Sequence, residues 1–135
     1  MHSPFDIVFV VTEAAHVGYN GFAAMKRFAA LFVGRFDIDS RTTRVALVVY
    51  SEGVDATKCI YLKRYASVRP LQSAIGNRRY AGGGTMDTHA ALEFVRTLVL
   101  TARLGDRSNV SNAVVVLMYG RSSRPDSTRV SVKPV

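Results

Sequence analysis

The side chains that could do chemistry are few, and most of them lie in predicted loops. His16, Asp87 and His89 carry the nitrogen and carboxylate ligands that suit Zn²⁺ or Cu²⁺. They lack His-x-His or His-x-x-x-His spacing on a predicted helix, which favours solvated side chains over a metal site. The 3 histidines also have no Ser or Cys nucleophile beside them in a recognisable motif, so the sequence argues against an enzyme.

The glycine-rich segment Gly82-Gly83-Gly84-Thr85 is similar in composition to a phosphate-binding loop. No Gly-Lys-Ser or Gly-Lys-Thr follows it, and it does not lie in the first strand-to-helix turn. The 6 tyrosines are dispersed, and no strand has the aromatic pattern of an RNA-binding domain. We therefore expect these glycines to allow a tight backbone turn, and we expect no nucleic-acid partner.

The basic residues are the strongest candidates for ligand binding. The chain has 18 Lys+Arg against 10 Asp+Glu, a net charge of +8, which favours acidic partners such as a sulfated glycan, an anionic surface or an acidic protein. The candidates are the pairs Lys63-Arg64 and Arg78-Arg79, with Arg69 near them in the sequence. Composition leaves open the alternative of a solvated basic surface that has no defined partner.

Two further residues allow limited conclusions. The single cysteine, Cys59, excludes an internal disulfide, and we expect it to be a half-buried apolar residue unless it forms an intermolecular bridge. Asn109 begins an Asn-Val-Ser glycosylation sequon, which is used only in a secreted chain. The sequence shows no signal peptide and no apolar run near the roughly 20 residues that cross a bilayer, so we expect no membrane insertion.

Hydrophobic periodicity predicts strands that alternate with helices. Continuous apolar segments predict buried strands at Phe5–Val11, Arg44–Tyr50 and Ala113–Met118, and a mixed segment predicts an edge strand at Cys59–Leu62. Helical spacing predicts helices at Asn20–Phe36, within Val68–Tyr80, and at Thr88–Leu104. This pattern indicates one α/β domain over residues 1–135 with a mostly parallel sheet. Its ligand site would lie at the carboxyl edge of the strands.

A family resemblance emerges from several segments in a fixed order. "DIVFVV", "VGYNGF", "TRVALVVYS", "RYAGGGT", "ALEFVR" and "VVVLMYGRS" together resemble the von Willebrand factor type A domain, nearest to its extracellular-matrix branch, such as collagen VI, matrilins and invertebrate shell-matrix or byssal-thread proteins. The match covers residues 6–123 and leaves 124–135 as an atypical tail. The resemblance implies a doubly wound sheet with helices on both faces. It also implies a secreted, non-catalytic module of matrix adhesion or assembly.

The resemblance also identifies the positions of a metal site. Family members hold Mg²⁺ with an Asp-x-Ser-x-Ser motif after the first strand, a Thr after the glycine turn and an Asp after the fourth strand. The matching positions here are Thr12, Ala14, His16, Thr85 and Tyr119. Both carboxylates and both serines are missing, and threonine hydroxyls alone do not hold a strongly hydrated cation. We therefore expect a degenerate site, no metal or other cofactor, and ligand binding through another surface.

The end of the chain raises a question about the sheet edge. Family members usually continue with further strands and helices, whereas this chain ends at Val135 and would leave the flank of Ala113–Met118 exposed. Thr128–Val132 could fold back as a substitute edge strand, a second copy could cover the flank, or the chain could be a natural truncated form. We favour self-association by strand addition. A self-associating structural scaffold is therefore the alternative to a module that binds a matrix protein such as collagen, or an acidic glycan or mineral surface.

Overall fold

The computed structural model describes residues 5–36, 38–39, 42–101, 107, 110–120 and 127–134, with the backbone alone described for 118–120 and 127–134. Strands and helices alternate along most of the chain. In order they are β1 (Phe5–Thr12), α1 (Gly18–Val33), β2 (Thr43–Tyr50), α2 (Val68–Gly76), α3 (Thr88–Phe94), β3 (Ser111–Gly120) and β4 (Ser127–Pro134). A π-helical segment, Val95–Val99, continues α3, and short 3₁₀ turns lie at Ala15–Val17 and Ala56–Lys58.

The sheet has the order β2-β1-β3-β4. β1 pairs in parallel with β2 on one side and with β3 on the other, and β4 runs antiparallel to β3. Both faces of the central strand are buried, which explains its continuous run of apolar residues. The predicted α/β fold with a mostly parallel sheet is confirmed.

Alternating side chains of β1 face two hydrophobic layers. Ile7 and Phe9 belong to the layer that α1 and α2 complete, whereas Val8 and Val10 belong to the layer completed by α3 and the π-helical segment. α1 presents an apolar stripe to its layer because its buried residues recur every three or four positions. These residues are Phe22, Met25, Ala29 and Val33.

α1 and α3 end earlier than the apolar spacing predicts, whereas α2 lies within its predicted segment, Val68–Tyr80. α2 stops at Gly76, where the Arg78 side chain folds back and its Nε donates to the Ala74 carbonyl at 2.8 Å. α3 gives way to the π-helical segment, in which the Leu100 amide donates to the Val95 carbonyl at 2.9 Å. Intrinsic helix propensity alone does not predict where these helices end, because a side-chain bond to a terminal carbonyl or an i to i−5 backbone bond replaces the α-helical hydrogen bond there.

The two edges of the sheet correct two predictions. Cys59–Leu62 is not a strand, since only an isolated antiparallel bridge joins Ile60 to Leu47. The predicted strand at Thr128–Val132 is present within β4, which pairs with β3 from Ala113↔Pro134 to Gly120↔Ser127. The preference for a second copy covering the β3 flank is therefore wrong, because β4 of the same chain occupies it. A return strand pairs antiparallel after a short connection and needs no crossover helix.

Candidate functional site

The loop after β1 lies at the carboxyl edge of the sheet, where the family resemblance implies the positions of a degenerate metal site. Thr12 is 1% exposed, and its hydroxyl donates to the Tyr50 carbonyl at 3.2 Å. The same oxygen accepts a hydrogen bond from the Ala14 amide at 3.1 Å. The hydroxyl therefore ties β1 to β2 and shapes its own loop.

The other predicted metal-site positions offer little to a cation. Ala14 is buried and bridges to Gly83, and its carbonyl accepts a hydrogen bond from the Tyr80 hydroxyl at 3.5 Å. His16 and Thr85 are exposed on separate loops. The side chain of Tyr119 lies outside the described residues, although its backbone belongs to the end of β3.

The glycine turn packs directly against the loop that follows β2. A Cβ atom on Gly83 would lie 2.1 Å from Ser51 Oγ, and one on Gly84 would lie 2.4 Å from Glu52 Oε1. The Gly83 amide also donates to the carbonyl of Glu13 at 3.0 Å. Gly83 therefore has no room for a side chain beside Ser51, whereas at Gly84 the obstacle is only the flexible end of the exposed Glu52 side chain.

A buried carboxylate joins the loops at this edge. Glu13 is 3% exposed, pairs with the Lys58 ammonium, and accepts a hydrogen bond from the Ala81 amide at 3.1 Å. The Glu13 amide donates to the Tyr50 carbonyl at 2.7 Å. Glu13 thus connects the loop after β1 to the glycine turn and to the 3₁₀ turn that contains Lys58. Glu13 was not among the residues predicted from the sequence, although a lone acid directly after an apolar strand is a detectable signal.

The donors at this edge do not fit a divalent cation. Mg²⁺ requires several oxygen ligands in octahedral geometry, usually with at least one carboxylate. Here the buried Glu13 carboxylate is engaged by Lys58, and the Thr12 hydroxyl is engaged by the backbone. Within the described ranges, no three His, Cys, Asp or Glu side chains converge in a way that could hold a metal.

The grouping of His16, Asp87 and His89, which the sequence disfavours, does not converge on a shared centre in the part of the chain that the structure describes. Asp87 instead caps α3, since its Oδ1 accepts a hydrogen bond from the Ala90 amide at 3.0 Å. His89 is exposed in the first turn of that helix.

Cys59 is half-buried beneath the same edge. Its Sγ donates to the Asp55 carbonyl at 3.5 Å, and burial raises the pKa of the thiol to about 11. A thiol with such a pKa is largely protonated at neutral pH and is a poor nucleophile.

The structure divides the basic candidates between the two ends of α2. Lys63, Arg64 and Arg69 are exposed around the start of the helix. Arg78 lies beyond its end and is half-buried, with its guanidinium donating to the Lys58 carbonyl at 3.2 Å. Arg79 beside it is exposed. Only the first three therefore lie at the same end of α2, while Arg78 stabilises the other end of the helix. Asn109 lies outside the described residues.

Comparison with known sequences identifies the family. The sequence profile of the von Willebrand factor type A domain matches residues 6–134. The chain belongs to the von Willebrand factor type A domain family. The Xenopus laevis von Willebrand factor A domain-containing protein 2 is 33% identical over 120 residues, which is 89% of this chain and 15% of that protein. The Mus musculus collagen alpha-4(VI) chain is 35% identical over 123 residues, or 90% of this chain and 5% of that protein.

A solved structure shares the fold of this type A domain. The proximal thread matrix protein 1 of the mussel byssus superposes with a TM-score of 0.78 at 18% identity, covering 90% of this chain and 32% of that one. The type A domain thus spans a small part of each of these proteins. These relatives confirm the predicted resemblance to extracellular-matrix proteins. None of the described helices is long and apolar enough to cross a membrane.

Proposed function

We propose that this type A domain is a non-catalytic module of matrix adhesion or assembly that binds its partner without a divalent cation. The Thr12 hydroxyl supports the metal independence. It stands where the family motif has a carboxylate, it is buried, and both of its hydrogen bonds are made within the fold.

The Glu13–Lys58 ion pair gives a physical reason why the loops hold their arrangement without a metal. In the family motif, a cation bound by several loops cross-links them. Here the Glu13 carboxylate joins the same edge through Lys58 and the Ala81 amide. A pair that is largely buried loses less strength to water and salt than a surface pair does.

The likeness to a collagen VI chain and to a byssal matrix protein supports a matrix partner. The net charge of +8 supports a partner with acidic groups. Collagen and heparin are therefore the probes that we choose for a protein and an acidic glycan of the matrix.

The test is binding of this chain to immobilised collagen and to heparin, first with EDTA and then with Mg²⁺. We expect binding to at least one of the two, with the same affinity in both buffers. Binding that appears only with Mg²⁺ would refute metal independence, and binding to neither probe would refute the adhesion role.

A melting experiment provides a second readout that does not depend on the choice of partner. A ligand at a hundred times its Kd stabilises a protein by about 2.7 kcal/mol, which is a measurable rise in Tm. We expect the same Tm in EDTA, in millimolar Mg²⁺ and in micromolar Zn²⁺. A rise with Zn²⁺ that His16→Ala abolishes would show a metal site that uses this histidine.

A further inference from the structure

A cavity of about 210 Å³ opens beside the start of β2. Thr43, which begins this strand, lines the cavity, whereas Tyr50 at its other end binds the Thr12 hydroxyl at the degenerate metal site. Seven steps of about 3.3 Å along this strand separate the two places by about 23 Å. The cavity is therefore independent of the edge that type A domains use for a metal.

The cavity has an apolar floor and a polar rim. Ile38 and Leu62 lie in the floor and are fully buried. Lys63 and Arg44 line the wall, and Lys63 is exposed to solvent. The half-buried ring of Tyr65 forms another side. Such a pocket combines apolar surface with a few polar groups that orient a ligand.

Further cations lie next to the lining residues of this cavity. The Arg64 guanidinium lies 4.6 Å from the centroid of the Tyr65 ring. Arg69 follows Val68, whose amide donates to Asp39 Oδ1 at 2.9 Å, so the start of α2 is tied to the segment that also provides Ile38. Among the described residues, Asp39 is the acidic residue closest in sequence to the cavity lining, since it follows Ile38. Its carboxylate already accepts the hydrogen bond from Val68.

The rim favours a polyanionic glycan over a protein partner. Protein interfaces centre on exposed aromatic or large apolar side chains. Among the described residues the large apolar side chains that stand exposed are Tyr19 and Leu31, at 70% and 68%, and both belong to α1. A rim with exposed cations and no exposed apolar anchor suits repeated sulfate groups.

We propose that this cavity binds a sulfated sugar unit of a glycan, with Lys63 contacting a sulfate group and Arg64 and Arg69 contacting its neighbours. The inference rests on the proposed function, because it names the ligand class of the metal-independent surface.

The test measures binding of a defined heparin oligosaccharide in EDTA by this chain and three variants. Lys63→Gln/Arg69→Gln removes two rim charges, and Ala66→Phe fills the cavity mouth from an exposed lining position without changing the charge. Arg27→Gln/Arg35→Gln is the matched control, since it removes two exposed cations near α1. We expect the first two variants to weaken binding about tenfold and the control to weaken it less than about twofold. Unchanged melting temperatures verify that each variant folds.

Three results would overturn the inference. Ala66→Phe with full affinity would show that the cavity is not the site. Equal affinity for the desulfated oligosaccharide would show that sulfate is not recognised. Poly-glutamate that binds as tightly and is equally sensitive to the cavity variants would assign the site to acidic proteins.

The failure of this inference is distinguishable from failure of the proposed function. EDTA-resistant binding to collagen or heparin that only the α1 control variant weakens would leave the proposed function standing and overturn the cavity assignment. Mg²⁺-dependent binding would refute the proposed function whatever the cavity variants do.

Discussion

The Glu13–Lys58 ion pair should be essential for the stability of the fold. The two side chains are 4% and 16% exposed, so neither charge is well solvated. Lys58→Met removes the ammonium, keeps most of the aliphatic stem, and leaves the Glu13 carboxylate with its hydrogen bond from the Ala81 amide. Breaking a buried pair from one side costs about 3–5 kcal/mol, and the partial exposure of Lys58 places this variant near the lower end.

Glu13→Gln should cost less, about 2 kcal/mol, for two reasons. Glutamine can still accept the hydrogen bond from the Ala81 amide. The Lys58 ammonium also keeps Asp55 Oδ2 at 3.8 Å as a second partner. For a chain of this length each kcal/mol lowers Tm by about 3–5 °C, so Lys58→Met should melt about 9–15 °C lower and Glu13→Gln about 6–10 °C lower.

Thermal and urea denaturation of both single variants and of the double variant measure the coupling. The double variant should be more stable than the sum of the single losses predicts, by about 1–2 kcal/mol, because no charge remains buried alone. The matched control is the exposed pair Glu93–Arg96 at 2.8 Å, for which Glu93→Gln and Arg96→Met should leave Tm nearly unchanged. Strictly additive losses, or single variants that melt like the parent, would refute a structural role for the pair.

Three further predictions concern the same edge. Gly83→Ala should cost about 1–3 kcal/mol because its Cβ would collide with Ser51, whereas Gly53→Ala, with nothing within 4 Å of its Cβ, should be tolerated. Equal unfolding free energies of the two variants in urea would contradict this prediction. Asp87→Ala should lose about 1 kcal/mol with the cap of α3, most of it retained by Asp87→Asn, and a melting curve that matches the parent would exclude the cap. Alkylation of Cys59 at pH 8 should be about a hundredfold slower in the folded chain than in urea. The reason is that a thiol pKa of about 11 in place of 9.0 lowers the thiolate fraction by that factor. Equal alkylation rates would contradict the burial of this thiol.

The hydrophobic pattern was sufficient to predict the main architecture. β1, β2 and β3 were predicted to within about two residues because strands buried on both faces read as continuous apolar runs. The helices were placed correctly, although the predicted segments for α1 and α3 extended too far. Hydrogen bonds of Arg78 and Leu100 accompany the ends of α2 and of the π-helical segment after α3, and apolar spacing does not encode them.

The sheet edges were harder to predict because alternating segments carry no information about their partner. Cys59–Leu62 and Thr128–Val132 both read as edge strands, yet only the second pairs along its length, within β4. Strand pairing depends on which unpaired flank lies within reach of the segment in the folded chain.

At the candidate site, too, residue types can be read from the sequence, whereas contacts between residues distant in the chain cannot. The residue types at Thr12, Ala14 and His16 are visible in the chain, so the lack of metal ligands is already a prediction from sequence. The ion pair that engages the buried Glu13 carboxylate could not be predicted from the sequence, since Glu13 and Lys58 are 45 positions apart. Nor could the sequence predict that Lys63 and Thr43 line one cavity, or that Arg78 hydrogen-bonds to the last turn of α2. Apolar periodicity predicted the layers because burial of apolar faces is a local pattern, and the ordered segments that resemble type A domains predicted the family. Packing fixed which charges are engaged and which surface remains for a ligand, because those contacts join residues that are distant in the chain.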